Sequence, residues 1–165
     1  MRIALFPGTF DPITLGHTDI INRALPLFDK IVVGIGINTS KQPMFSEQQR
    51  VEWIGELYKT EPKVEAAVYS GLTIDFCKKI NARFILRGIR YLADFEYEKT
   101  IADANRTMDK NLETIFLTGE PKYTSVASTI VRDIIRNHGD ASFFIPDIVN
   151  DTIVKLQHPS VKISS

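Results

Sequence analysis

The sequence has a single cysteine among its 165 residues, Cys77. No internal disulfide can form, which excludes a disulfide-stapled secreted scaffold and suits a reducing cytosol. The chain also lacks an excess of either charge: twenty lysines and arginines offset twenty aspartates and glutamates. A protein that coats nucleic acid carries a basic surplus, so no nucleic-acid partner is expected, while a small anion held by a few convergent cations stays open. No apolar run approaches the roughly 20 residues needed to span a bilayer. Met1–Phe10 is apolar without a basic-plus-apolar leader and reads as a first strand, not a signal peptide. A cytoplasmic chain with no membrane partner is the default. Tandem repeats and low-complexity tracts are missing as well. There is no dense His/Cys cluster, and His138 and His158 stand too far apart to pair, so no protein-ligated metal site is expected.

What is present is the balance of an ordinary globular domain, 44% hydrophobic and 24% charged. A chain of this length buries roughly 70% of its unfolded surface and needs no staple. One domain is expected over residues 1–158, followed by a polar tail, 159–165, that frays. Strand and helix patterns alternate along it. Strands are expected at Arg2–Phe6, Lys30–Ile37, Val64–Val68, Phe84–Leu86 and Glu113–Leu117. The second is β-branched and almost continuously apolar, as in a strand covered on both faces. Between them the 3.6-residue period marks helices at Gly16–Phe28, from a capping box at Ser46–Gln49 to about Tyr58, at Leu72–Ile80 and at Ala93–Met108. Ser125–Arg136, with Ile130, Ile134, Val126, Val131 and Ile135 on its apolar side, is expected to stop at Gly139. A last helix opens at Pro146-Asp147. The fold class is α/β, one Rossmann-like doubly wound domain with a mostly parallel five-stranded sheet and C-terminal helices.

In such a sheet the ligand sits beyond the C-terminal ends of the strands. The first strand is followed there by Pro7–His17, the second by Asn38–Lys41, the fourth by Arg87, Gly88 and Arg90. Tyr123, Thr124, Ser128, Thr129 and Arg132 follow the fifth. Arginines, a lysine, a histidine and hydroxyls at one edge, beside helix N-termini, suit phosphates. The first loop is neither a GxGxxG fingerprint nor a GxxxxGK[ST] loop. Gly16 allows close backbone approach and puts His17 in the first turn of a helix, facing a phosphate bound at that end; a structural histidine is the alternative. Lys41 reads equally as solvated loop charge, Leu72 and Ile101 as helix core, and Arg132 as an exposed helix residue.

Thr14-Leu15-Gly16-His17 resembles the (H/T)xGH signature of the nucleotidyltransferase superfamily, and Val126–Arg132 resembles its ISSTxxR motif. The chain is similar over nearly its whole domain to the bacterial phosphopantetheine adenylyltransferase family. That likeness is carried by Pro7–Thr14, Lys41–Phe45, Arg87–Arg90 and Ala93–Glu98, in order. It implies adenylyl transfer from ATP to 4'-phosphopantetheine with Mg²⁺ assisting, giving dephospho-coenzyme A and pyrophosphate. It further implies a place in coenzyme A biosynthesis, a cytoplasmic homohexamer, and coenzyme A as an inhibitor. The resemblance gives His17 the α-phosphate and Thr9 the incoming phosphate. Lys41 would contact both phosphates, Arg87 the acceptor phosphate, and Arg90 the leaving pyrophosphate. Ser128 and Thr129 would take β- or γ-phosphate oxygens, with Phe10, Gly88, Glu98, Tyr123 and Thr124 on the nucleotide side. Leu72, Thr73, Ile101 and Asn105 would line the pantetheine arm. Thr73 stands where relatives often have methionine and Ala127 where they often have serine. Nucleotidyltransferases for nicotinamide mononucleotide or glycerol 3-phosphate, and a nucleotide-binding regulator without turnover, are the competing readings.

Overall fold

The computed structural model describes residues 1–37 and 42–157. Five strands, β1 (Ile3–Gly8), β2 (Lys30–Gly36), β3 (Val64–Tyr69), β4 (Phe84–Ile89) and β5 (Glu113–Thr118), alternate with α1 (Leu15–Ala24), α2 (Glu47–Leu57), α3 (Thr73–Lys79) and α4 (Leu92–Met108). Two more helices, α5 (Ser128–Arg136) and α6 (Asp147–Gln157), close the chain. The sheet runs β3-β2-β1-β4-β5. All of its pairings are parallel, so the mostly parallel sheet expected from sequence is wholly so.

Each strand serves two cores because successive side chains leave opposite faces. Ala4 and Phe6 of β1 pack with Ile21, Trp53, Val131 and Ile145 on one face. Leu5 packs with Val32, Ile74, Cys77 and Ile85 on the other. The apolar run of β2 is buried throughout Ile31–Ile35, as a strand covered on both sides requires. Helix α4 differs from the rest: its buried residues are Glu98 and Asn105, both polar. A helix that buries polar groups against a sheet borders a site rather than a core.

The capping box expected at Ser46 is present. Gln49 N–H donates to Ser46 Oγ at 3.2 Å, and Gln49 Oε1 accepts from Ser46 N–H at 3.0 Å. Several boundaries move. The first helix ends at Ala24 and a tight turn, Leu25–Leu27, replaces its last part, because Pro26 cannot continue an α-helical ladder. Helix α5 starts at Ser128, three residues late, and Ile130 is exposed while Val131 and Ile135 are buried. Leu72 caps α3 from an exposed position instead of joining Phe76 in the core.

The stop of α5 also differs. His138, not Gly139, takes the left-handed conformation, with φ 57. Gly139 N–H donates to Ile134 O at 2.9 Å and His138 N–H to Ile135 O at 3.1 Å, the paired bonds of a Schellman stop. The backbone chose the position by helix length, and a histidine bears its steric cost. His138→Gly is therefore expected to stabilise the chain by about 1 kcal/mol and raise Tm by roughly 2–4 °C in a thermal melt.

Candidate active site

The site begins where two strands part. Strands β1 and β2 stay paired from Ile3 to Gly8, but β1 and β4 pair only at Ala4–Leu5 with Phe84–Ile85. Beyond that point their C-terminal ends separate, at the place where chain order in the sheet reverses. Arg87 fills the gap. Its Nη1 donates to Pro7 O, Nε donates to Glu98 Oε2 at 2.8 Å, and Nη2 donates to Glu98 Oε1. This two-pronged pair is the strong geometry for a guanidinium and a carboxylate, and it joins β1, β4 and α4.

Arg87 and Glu98 line two cavities, one on each side of the gap. The larger, about 740 Å³, opens between α3 and α4. Leu72, Thr73, Ile101, Asn105 and Thr9 line it. Leu72 and Ile101 are exposed side chains on its rim, not core. The Thr73 hydroxyl lies 3.0 Å from that of Tyr69, whose ring stacks on Phe76. Sequence reading passed over Tyr69. The second cavity, about 480 Å³, lies under α1 and α5 and is lined by His17, Phe10, Gly88, Arg90, Tyr123, Ser128 and Thr129. Thr124 lines neither cavity; its carbonyl accepts from the Tyr91 hydroxyl. Lys41 lies outside the described residues. Arg90 donates from Nε to Asp94 at 3.2 Å.

His17 is held by its own helix. Thr14 caps α1 and His17 is the third helical residue, so the ring stands where a capping-box glutamate or glutamine usually does. Thr14 N–H donates to Nδ1 at 3.0 Å. Nδ1 is therefore unprotonated, and the neutral ring carries its proton on Nε2. Phe10 packs edge-on against the imidazole, with ring centroids 4.9 Å apart. Burial first, then the Arg87 and Arg90 charges, push the His17 pKa down to about 4. The ring is a neutral N–H donor near pH 7. Gly16 does not owe its identity to crowding within the chain, since a Cβ there would meet nothing nearer than 3.7 Å. At Gly88 a Cβ would press to 3.0 Å from Ile20, so that glycine lets α1 sit close on β4.

The turn between β1 and α1 is gripped by its carbonyls. Arg50 Nη1 donates to Thr9 O at 2.8 Å, Arg132 Nη1 to Asp11 O at 2.7 Å, and Ser128 Oγ to Pro12 O at 2.9 Å. The buried Asp11 carboxylate accepts in turn from the N–H groups of Met44 and Phe45, each at 2.9 Å. Arg132 is thus not an idle surface residue; it ties Asp11 O and also donates to Thr129 Oγ1 at 3.3 Å. Arg50 was not singled out by sequence. The signal was available: a cation in the apolar stripe Arg50, Trp53, Ile54 of α2, all three buried.

The site presents two cavities across one shared wall, with arginine, histidine and hydroxyl groups among their linings. The chain's comparisons agree with that geometry. The cytidylyltransferase-like family model matches residues 5–134. The phosphopantetheine adenylyltransferase of Flavobacterium psychrophilum is 54% identical over 149 residues, covering 90% of this chain and 98% of that protein. That of Bacteroides fragilis is 51% identical over 146 residues, 88% of this chain and 97% of that protein. Among solved structures, a bifunctional NMN adenylyltransferase/ADP ribose pyrophosphatase from Francisella tularensis superposes with a TM-score of 0.74 at 17% identity, over 97% of this chain and 51% of that one; this likeness shows the fold. With sheet order, parted strands and the Gly-His helix start all in place, the chain belongs to the phosphopantetheine adenylyltransferase family of the cytidylyltransferase-like proteins.

Proposed function

We propose that the paired cavities carry out adenylyl transfer from ATP to the phosphate of 4'-phosphopantetheine, giving dephospho-coenzyme A and pyrophosphate. The observation that carries this reading is the Arg87–Glu98 wall common to both cavities, with His17 and Arg90 on one side and Thr9 and Asn105 on the other. An acceptor phosphate oxygen attacks the α-phosphorus, the Pα–O–Pβ bond breaks, and its electron pair leaves with pyrophosphate. The acceptor is already ionised near neutral pH, so the chain's work is positioning and charge stabilisation.

His17 donates from Nε2 to an α-phosphate oxygen as charge develops there. Arg87 has five N–H groups and spends three on Glu98 and Pro7, leaving two for the acceptor phosphate. Thr9 orients that phosphate, Lys41 contacts both phosphates, and Arg90 faces the leaving group. The hydroxyls of α5 divide the remaining work. Ser128 has one proton and gives it to Pro12 O, so toward nucleotide it offers its backbone N–H at the helix start. Thr129 Oγ1 accepts from Arg132 and keeps its proton for a β- or γ-phosphate oxygen. Phe10 supports the His17 ring, while Gly88, Glu98 and Tyr123 belong to the nucleotide side, and Thr124, outside both cavities, backs it through the Tyr91 hydroxyl. Leu72, Thr73, Ile101 and Asn105 receive the pantetheine arm.

Magnesium, when bound, supplies further charge neutralisation. Among the described residues no three His, Cys, Asp or Glu side chains gather, and both Glu98 oxygens face Arg87. The donor set fits an ion carried by the triphosphate and water. Leu92 and Phe143, exposed and lining neither cavity, support self-association, which we assign to a homohexamer. The buried, free Cys77 supports a cytoplasmic setting. Coenzyme A shares the acceptor's arm and is proposed to compete for the larger cavity. No described helix is long and apolar enough to cross a membrane.

Pure chain with ATP, Mg²⁺ and 4'-phosphopantetheine is expected to yield dephospho-coenzyme A and pyrophosphate by mass spectrometry. His17→Ala lowers kcat by about 10²–10³-fold; a folded wild type that binds nucleotide without product overturns the reading. Thr129→Val is expected to raise KM for ATP several-fold, whereas Ser128→Ala lowers kcat by loosening the turn, which steady-state kinetics separates. The His17 pKa predicts a stability profile. A histidine of pKa 6.5 unfolded and about 4 folded favours the native state fully above about pH 6.5, and that contribution is lost as pH falls from there toward 4. The drop in Tm between about pH 7 and about pH 5 is therefore expected to be smaller in His17→Gln than in wild type.

A further inference from the structure

We infer that Arg50 is a positioning residue for the transfer step, acting through the peptide of Thr9; this rests on the adenylyl-transfer reading and adds a residue to it. Arg50 lies on α2 with 3% of its surface exposed. Its Nε donates to Ser46 O at 3.3 Å and its Nη1 to Thr9 O at 2.8 Å, across 41 positions of sequence. No carboxylate of the described residues lies within ion-pair distance of it. A buried cation satisfied only by neutral carbonyls costs stability that an apolar side chain of similar length would not. Packing alone does not account for an arginine between Ser46 and Trp53.

The location does. Thr9 is exposed, lines the acceptor cavity, and also lines a third cavity of about 460 Å³ whose wall includes Arg50. The next residue, Phe10, has φ 47, so the chain reverses its curl directly after Thr9. The Thr9 carbonyl turns inward to Arg50 while its side chain stays at the cavity. Arg132 and Ser128 hold the carbonyls of Asp11 and Pro12, but Thr9 O has only the Arg50 grip among the described residues. Releasing it lets the peptide rotate and moves the Thr9 hydroxyl away from the line of attack. A misplacement of about 1 Å can cost about 10²-fold in rate.

The test is a double-mutant cycle on the full chain, read by steady-state kinetics and by calorimetric binding of ATP and of 4'-phosphopantetheine. Arg50→Gln breaks the grip. Arg50→Lys keeps the buried charge but cannot reach both carbonyls, and serves if Arg50→Gln does not fold. Each is expected to lower kcat by about 10–100-fold with KM for ATP within about twofold. In a Thr9→Ala background the same change is expected to add less than about twofold, because the group it positions is gone. Losses that multiply in the double variant, an equal rise in KM for ATP, or wild-type kcat in Arg50→Lys and Arg50→Gln would overturn the inference. If wild type binds both substrates without forming product, the proposed reaction fails and Arg50 is judged by binding alone. Weaker phosphopantetheine binding in Arg50→Lys that vanishes in Thr9→Ala then supports it, and unchanged binding overturns it. A wild type that does not bind phosphopantetheine overturns both.

Discussion

Everything in the site depends on β1 leaving β4. Two paired residues hold these strands together, against six between β1 and β2, and past Ile85 the ladder that would have closed the sheet is missing. Backbone groups freed in this way need partners. Arg87 supplies one to Pro7 O and commits two more donors to Glu98. The charge that keeps the strands apart is thus the charge that faces both cavities. Glu98 keeps the guanidinium flat and aimed, and the paired hydrogen bonds offset the desolvation of both charges.

A second constraint follows from the first. The turn after β1 lies over the parted ends and cannot be held by sheet pairing. Its carbonyls are gripped instead by Arg50 from α2 and by Ser128 and Arg132 from α5. Asp11 reaches the other way, to the N–H groups of Met44 and Phe45. The turn is therefore rigid although it carries no regular structure. That is the condition under which Thr9 and His17 can orient phosphates without reorganising during the reaction. His17 shows the same economy: one ring nitrogen completes the cap of α1 and the other is left as a donor.

Much of the architecture was legible in the chain. β-branched runs separated by 3.6-period segments announced five strands and their helices, and the Ser46–Gln49 cap stands where its spacing predicts. The misreadings are local. Pro26 cut α1, α5 began three residues late, and His138 rather than Gly139 took the left-handed stop, because hydrogen-bond counting along the helix, not side-chain preference, set where the ladder ended. Within the site, the edge on which polar residues gather followed from which residues come after each strand in the chain. Their division of labour did not: Ser128 and Thr129 are adjacent hydroxyls in the sequence, yet one spends its proton on Pro12 O and the other does not.

The alternation of elements, the two apolar faces of the sheet, and the set of cations and hydroxyls that follow the strands can all be read along the chain. These depend on periodicity and on residues a few positions apart. Which of those groups touch is a matter of long-range packing. The Arg50 grip on Thr9 spans 41 positions, that of Arg87 on Pro7 spans 80, and that of Arg132 on Asp11 spans 121. Such contacts are set by how strands order and part in the sheet. Local pattern carries no record of that, because a buried arginine in an apolar stripe looks the same whatever carbonyl waits for it.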